Sequence, residues 1–267
     1  MRIRCALIAV LFSLPAFAQQ AAPPGPSAGS DQPSVSFTFQ WNDGVPWQSY
    51  SIQVHADGKT HFNGTPNSSQ GGDSDSVQDD FTMSEANRQK VFDSARKLNY
   101  FQGDCDSHLK HIAQTGAKSL MYKSAQFQGS CTYNYSQNRD VQQLTQLFMG
   151  LATTLHYGHK LVWQYRFDKL GMDQCLRELE NAQTDHQVEE LSAIEPILRK
   201  IADDPSLMHI SRQSAQHLLK TISASGAATT SSIRHRTPSS TPMVPSVAFA
   251  ISKAAPWTPG ASTSATP

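Results

Sequence analysis

Histidines supply the clearest chance of chemistry in this chain of 267 residues. His108 and His111 stand three positions apart, close to Asp104 and Asp106. Two histidines at that spacing meet on one face of a helix and can share a metal ion. Zinc in such a site would support a metal-assisted hydrolase, but the H-E-x-x-H pattern is absent. His156 and His159 repeat the spacing around Gly158, which reads as a helix terminator, so this second pair is not expected to share a face. Asp73, Asp75, Asp79 and Asp80 offer the oxygens that calcium prefers. Val77 and Gln78 occupy places where an EF-hand needs a ligand and a glycine, so a solvated loop is the simpler reading. Nucleophile-elbow, phosphate-loop and dinucleotide signatures are also absent. No cofactor is expected.

Four cysteines add a redox argument. The first eighteen residues carry Arg2 and Arg4, a short apolar run, Pro15 and Ala16-Phe17-Ala18. That is the layout of a secretory signal peptide cleaved before Gln19, so the expected location is periplasmic or extracellular. Cys5 leaves with the leader. In an oxidising compartment Cys105 and Cys131 are the expected disulfide, and Cys175 is a small core residue on a helix. Trp41, Trp47, Tyr50 and Phe62 gather around the first hairpin. Such aromatics either bind a peptide or glycan or form the core beneath a helix.

Behind these side chains the sequence divides into five parts: signal peptide 1–18, disordered linker 19–33, α+β domain 34–160, helical extension 161–222, and disordered Ser/Thr/Ala/Pro-rich tail 223–267. The tail contains one apolar island, residues 244–251 (VPSVAFAI), which is either a disordered remnant or a strand for a partner's sheet edge. The whole chain has zero formal charge. Setting aside Arg2, Arg4, Asp31, Arg234, Arg236 and Lys253 leaves 17 basic and 21 acidic residues, an acidic balance that argues against nucleic-acid binding. No segment after the leader is long and apolar enough to span a membrane.

Period-two alternation predicts strands at residues 35–41, 50–54 and 60–62, with Asp57-Gly58 turning the hairpin, and a short strand at 79–82. Ser84 reads as the cap of a helix carrying Val91, Phe92, Ala95 and Leu98. A second hairpin is expected around Gln128-Gly129, then a helix capped by Asp140 with Val141, Leu144, Leu147, Phe148, Leu151 and Leu155 on one stripe. A helix is expected over 172–182. Pro196 predicts a kink or a restart near Ser192, and a last helix covers 206–222. Strands first and helices later predict an α+β fold, an antiparallel sheet of four to six strands packed by helices.

The run PWQSYSIQVHADGKTHFNG, residues 46–64, resembles the opening hairpin of a bacterial secreted domain family of unknown function, of acidobacterial type. Its pattern is P-x-x-x-Y-x-I-x-V-x-x-D-G, carried here by Pro46, Tyr50, Ile52, Val54, Asp57 and Gly58. The capped helix at 84–101, the strand pair at 118–135 and the helix at 140–155 also have counterparts there. The resemblance covers about half of the chain and implies a fold more than an activity. Together these readings give an exported, non-catalytic binding or interaction module of the cell envelope, with a protein or glycan partner. The alternative is the hydrolase built on His108 and His111.

Overall fold

The computed structural model describes residues 32–41, 46–67 and 76–234, with side chains as far as 224. The leader, most of the linker, Asp73, Asp75 and the island at 244–251 lie outside these residues.

Six strands form one antiparallel sheet: β1 (Ser34–Gln40), β2 (Trp47–His55), β3 (Lys59–Pro66), β4 (Val77–Thr82), β5 (Ala117–Lys123) and β6 (Gln128–Tyr133). Their order is β4-β3-β2-β1-β5-β6. Gly58 turns β2 into β3 at a φ of 92°, where a side chain would be strained. The second hairpin turns earlier than Gln128-Gly129. Ser124 N donates to the Phe127 carbonyl at 2.8 Å, and Gly129 sits within β6 opposite Tyr122. Glycine is needed there for a different reason: a Cβ would stand 2.2 Å from the Tyr100 carbonyl oxygen. Tyr100 belongs to a left-handed 3-10 turn, Asn99–Phe101, which closes over the β6 end of the sheet.

Five helices follow the expected order: α1 (Glu85–Lys97), α2 (Arg139–Phe167), α3 (Met172–Thr184), α4 (Glu195–Asp203) and α5 (His209–Arg234). Ser84 does hold the N-cap position of α1, but its hydroxyl does not cap the helix. The Glu190 carboxylate does so from a distance, accepting from Ser84 N at 3.1 Å, Ser84 Oγ at 2.7 Å and Asn87 Nδ2 at 2.9 Å. Its negative charge lies at the positive end of the helix. At α2 the cap is Asn138, whose side chain accepts from Asp140 N, rather than Asp140 itself.

Gly158 does not end α2. The helix runs on to Phe167, past position 160, because the bare side of Gly158 receives Ile194, whose Cγ2 would lie 2.4 Å from a Cβ there. Pro196 falls in the first turn of α4 after a 3-10 turn at Leu191–Ile194, the restart that its missing N–H requires. Residues 223–234, read as the start of the tail, instead prolong α5. Proline first appears beyond them, at Pro238, so no residue of 223–234 lacks the backbone N–H that a helix needs. One connected core joins sheet and helices, from Phe37 and Ile52 to Leu176 and Leu198. No helix among the described residues is long and apolar enough to cross a membrane.

Candidate functional site

The two faces of the sheet differ sharply in what they carry. On one, Phe62, Ile52, Phe37, Leu120 and Cys131 lie in a single cross-strand row from β3 to β6. All five are buried, and Phe37 stacks on Phe148 of α2 with ring centroids 5.1 Å apart. Trp47 and Tyr50 belong to this side. Trp47 Nε1 donates to the Ala152 carbonyl of α2 at 2.9 Å, which satisfies the only polar atom of a buried indole. Trp47, Tyr50 and Phe62 are therefore core, and the half-buried Trp41 packs against the same cluster. Trp47 and Phe62 present no face to a ligand, whereas Tyr50 also borders the cavity over the other face.

The opposite face is uncovered among the described residues. The adjacent row there reads Gln78, Asn63, Ser51, Thr38, Ser119 and Thr132, one residue from each of the six strands. Every member is an uncharged amide or hydroxyl, and the row crosses about 24 Å of sheet at the usual strand spacing. A cavity of ≈680 Å³ lies over five members of this row, Asn63 to Thr132, and their neighbours Ser49, Gln40 and Thr65. That volume falls in the range of small-ligand sites.

One wall of the cavity is the loop between the Asn99–Phe101 turn and β5, which contributes Asp106 and Gln114. The loop is tied down at several points. Cys105 and Cys131 form the expected disulfide, with Cα atoms 5.7 Å apart. Asn134 N donates to Asp106 Oδ2 at 2.8 Å, and Asn134 Nδ2 donates to the Ala113 carbonyl at 3.0 Å. Lys118 Nζ, buried, donates to the carbonyls of Thr115, Gly116 and Asn134 and to the Thr115 hydroxyl, all within 3.1 Å. Burial holds its ammonium below the usual lysine range. Nothing in this set is a nucleophile aligned with a base. Lys118 spends its donors on neutral oxygens and acts as a clip.

Lys118, Tyr133 and Asn134 also border a second cavity of ≈610 Å³, between α2 and residues 185–187. Burial pushes the Tyr133 phenol up to about 12, while its hydroxyl pairs with Thr145 Oγ1 at 2.5 Å.

The histidines fall out differently from the expectation. His108 and His111 lie in irregular chain with left-handed φ values of 53° and 62°, so they share no helical face. His108 Nε2 pairs with Asp104 Oδ2, which raises the imidazole pKa and lowers that of the carboxyl; both side chains are exposed. Among the described residues no group of three or more His, Cys, Asp or Glu is placed to hold a metal.

His156 and His159 do share a face, since α2 continues through them. Both rings stand edge-on to Trp47, at 6.1 and 6.2 Å. Burial is the main cause that lowers the His156 pKa. His159 Nε2 meets Asp79 Oδ2 at 2.7 Å, and His61 meets Asp80 on the other side of β4. Asp79 and Asp80 thus fasten an edge strand. Cys175 is a buried thiol pushed up to about 12 by burial, a packing residue as expected.

Sequence reasoning missed the polar row. Its signal was present as the other half of the strand alternation that marked the core. Comparison with protein-family models and with curated proteins finds no match to this chain.

Proposed function

We propose that this protein is a non-catalytic binding module of the cell envelope, exported to the periplasm or beyond, and that its ligand is a glycan held on the open sheet face. The single observation that carries the reading is the uncharged hydroxyl and amide row across six strands, with a ≈680 Å³ cavity above five of its members. Hydroxyls and amides both donate and accept, as sugar hydroxyls do, so a neutral polyol can be satisfied along the row. The buried Cys105–Cys131 bridge supports export, because disulfides persist in oxidising compartments. The likeness of residues 46–64 to a secreted domain family is part of the same proposal.

Titration calorimetry with soluble peptidoglycan fragments and with neutral oligosaccharides tests it. Binding by the wild type that Ser51→Trp abolishes is expected, since an indole at the centre of the row fills the cavity. Heatless titration with both probes at millimolar concentration sinks the glycan assignment. N-terminal sequencing of the exported protein checks the leader, with Gln19 expected first.

A further inference from the structure

Helix α2 carries two stripes. Leu144, Phe148 and Leu151 belong to the one that is buried in the core. The other recurs at steps of three and four, through Gln142, Thr145, Gln146, Met149 and Thr153, and lines the ≈610 Å³ cavity. Residues 185–187, which follow α3, form the opposite wall, and Lys118, Tyr133 and Asn134 close a third side.

These walls are fixed in place. Gln187 N donates to the Ala182 carbonyl at 2.8 Å, and Thr154 Oγ1 of α2 donates to the Glu189 carbonyl at 2.6 Å. Gly150 permits the close approach, since a Cβ there would stand 3.2 Å from Glu189 N. The cavity is therefore preformed, and its volume suits a small organic molecule.

What it can bind follows from which of its polar groups are already engaged. Lys118 Nζ, with three N–H groups, meets four oxygens of Thr115, Gly116 and Asn134. Thr145 Oγ1 gives its proton to the Val141 carbonyl at 2.7 Å, so the Tyr133 hydroxyl donates to Thr145 Oγ1. Thr153 Oγ1 donates to the Met149 carbonyl at 3.0 Å, and Gln142 Nε2 to the Ser136 carbonyl at 2.7 Å. With those donors turned inward, the walls offer a ligand the Met149 thioether, threonine methyls and the Tyr133 ring. Gln146 and Gln187, on opposite walls, keep side-chain amides that bond no other described residue. The open sheet face is the reverse case: Thr38, Ser51, Ser119 and Thr132 all keep free hydroxyls among the described residues.

We propose that this cavity is a second ligand site for a neutral, mostly apolar small molecule, with a ring against Met149 and Tyr133 and one N–H or hydroxyl on the Gln146 or Gln187 amide. An acid is disfavoured, because the Lys118 ammonium is saturated and has no N–H to give it. A sugar is disfavoured too, since most of its hydroxyls would be left without partners. The site stands independently of what the open face binds.

Fluorescence titration of the mature full-length chain with N-phenyl-1-naphthylamine, a neutral aromatic amine, tests this. Saturable one-to-one binding is expected. Gln146→Trp and Gln187→Trp, both at exposed positions, place an indole in the cavity and each weaken binding at least tenfold. Ser51→Trp on the open face leaves it unchanged, and the sulfonated analogue 8-anilinonaphthalene-1-sulfonate binds at least tenfold more weakly. Absence of saturable binding overturns the proposal, as does affinity retained in either glutamine variant. Binding lost in Ser51→Trp puts the probe on the open face, and binding lost in Phe167→Ser puts it on the exposed Trp163–Phe167 pair; either result overturns the site. Sulfonate binding within tenfold of the neutral probe, or tighter, overturns the neutral class.

Discussion

Phe37 and Thr38 are neighbours on β1 and live in opposite worlds. Phe37 is fully buried between Tyr50 and Phe148, while Thr38 lies on the open row. The same alternation repeats on the flanking strands, so each residue step crosses from a stability surface to a surface free for binding. Side chains from α2 fill the packed face to contact over Phe37, and the ≈610 Å³ cavity on that side lies at its margin, between α2 and residues 185–187. The open face contributes little to holding the fold and keeps its hydrogen-bonding groups available.

The largest effect that separates the faces is expected from Phe37→Ala, which leaves a cavity beneath Phe148 and lowers unfolding free energy by about 3–5 kcal/mol in a denaturant titration. Opening the bridge comes next. Cys105 and Cys131 are 26 residues apart, and the double substitution to Ala is expected to cost roughly 3.5 kcal/mol by chain entropy. Because the bridge holds a wall of the open-face cavity, that variant should also bind ligand more weakly, joining the two faces in one measurement.

Glu190→Ala is third. It removes a buried carboxylate from Ser84, Asn87 and the start of α1, at about 2–3 kcal/mol by thermal or chemical unfolding. Thr38→Ala should shift stability by no more than about 0.5 kcal/mol, since its side chain leaves no core cavity. A Thr38→Ala cost near that of Phe37→Ala would erase the distinction between faces.

The smallest effect is a pH window on the loop at the cavity rim. Asp106 is held below the usual carboxylate range, chiefly by the Asn134 N–H, so its contribution is present above about pH 4 and is lost as pH falls through its lowered value. His108 is raised by Asp104, so its contribution is complete below about pH 6.5 and is lost as pH rises through the raised value. Amide exchange in residues 104–111 should therefore be slowest, relative to intrinsic rates, between about pH 4 and 6.5. Asp104→Asn removes the upper limit and leaves the lower one.

Legibility in the sequence followed how local each cause was. The hairpin at Asp57-Gly58 and the break at Pro196 depend on backbone freedom within a few residues; the first read correctly, and at the second the structure chose the restart over the kink. Gly158 and Gly129 read wrongly, because what they accommodate comes from elsewhere: Ile194 in one case, the Tyr100 carbonyl in the other. Ser84 marked the start of α1, but its partner Glu190 lies 106 residues away and no spacing rule could supply it. The candidate site was half legible. Aromatic alternation pointed to the first hairpin, yet it marked the face that α2 covers.

By itself, the sequence determined the period of each strand, the turn chemistry, the α+β order and the eligible cysteines, since these follow from steric rules and from side-chain patterning along the chain. The tertiary structure decided which side of the sheet stays open, how far α2 runs past Gly158, and that Cys105 meets Cys131 rather than Cys175. Those outcomes depend on where helices distant in sequence come to rest, and only packing of the whole core fixes that.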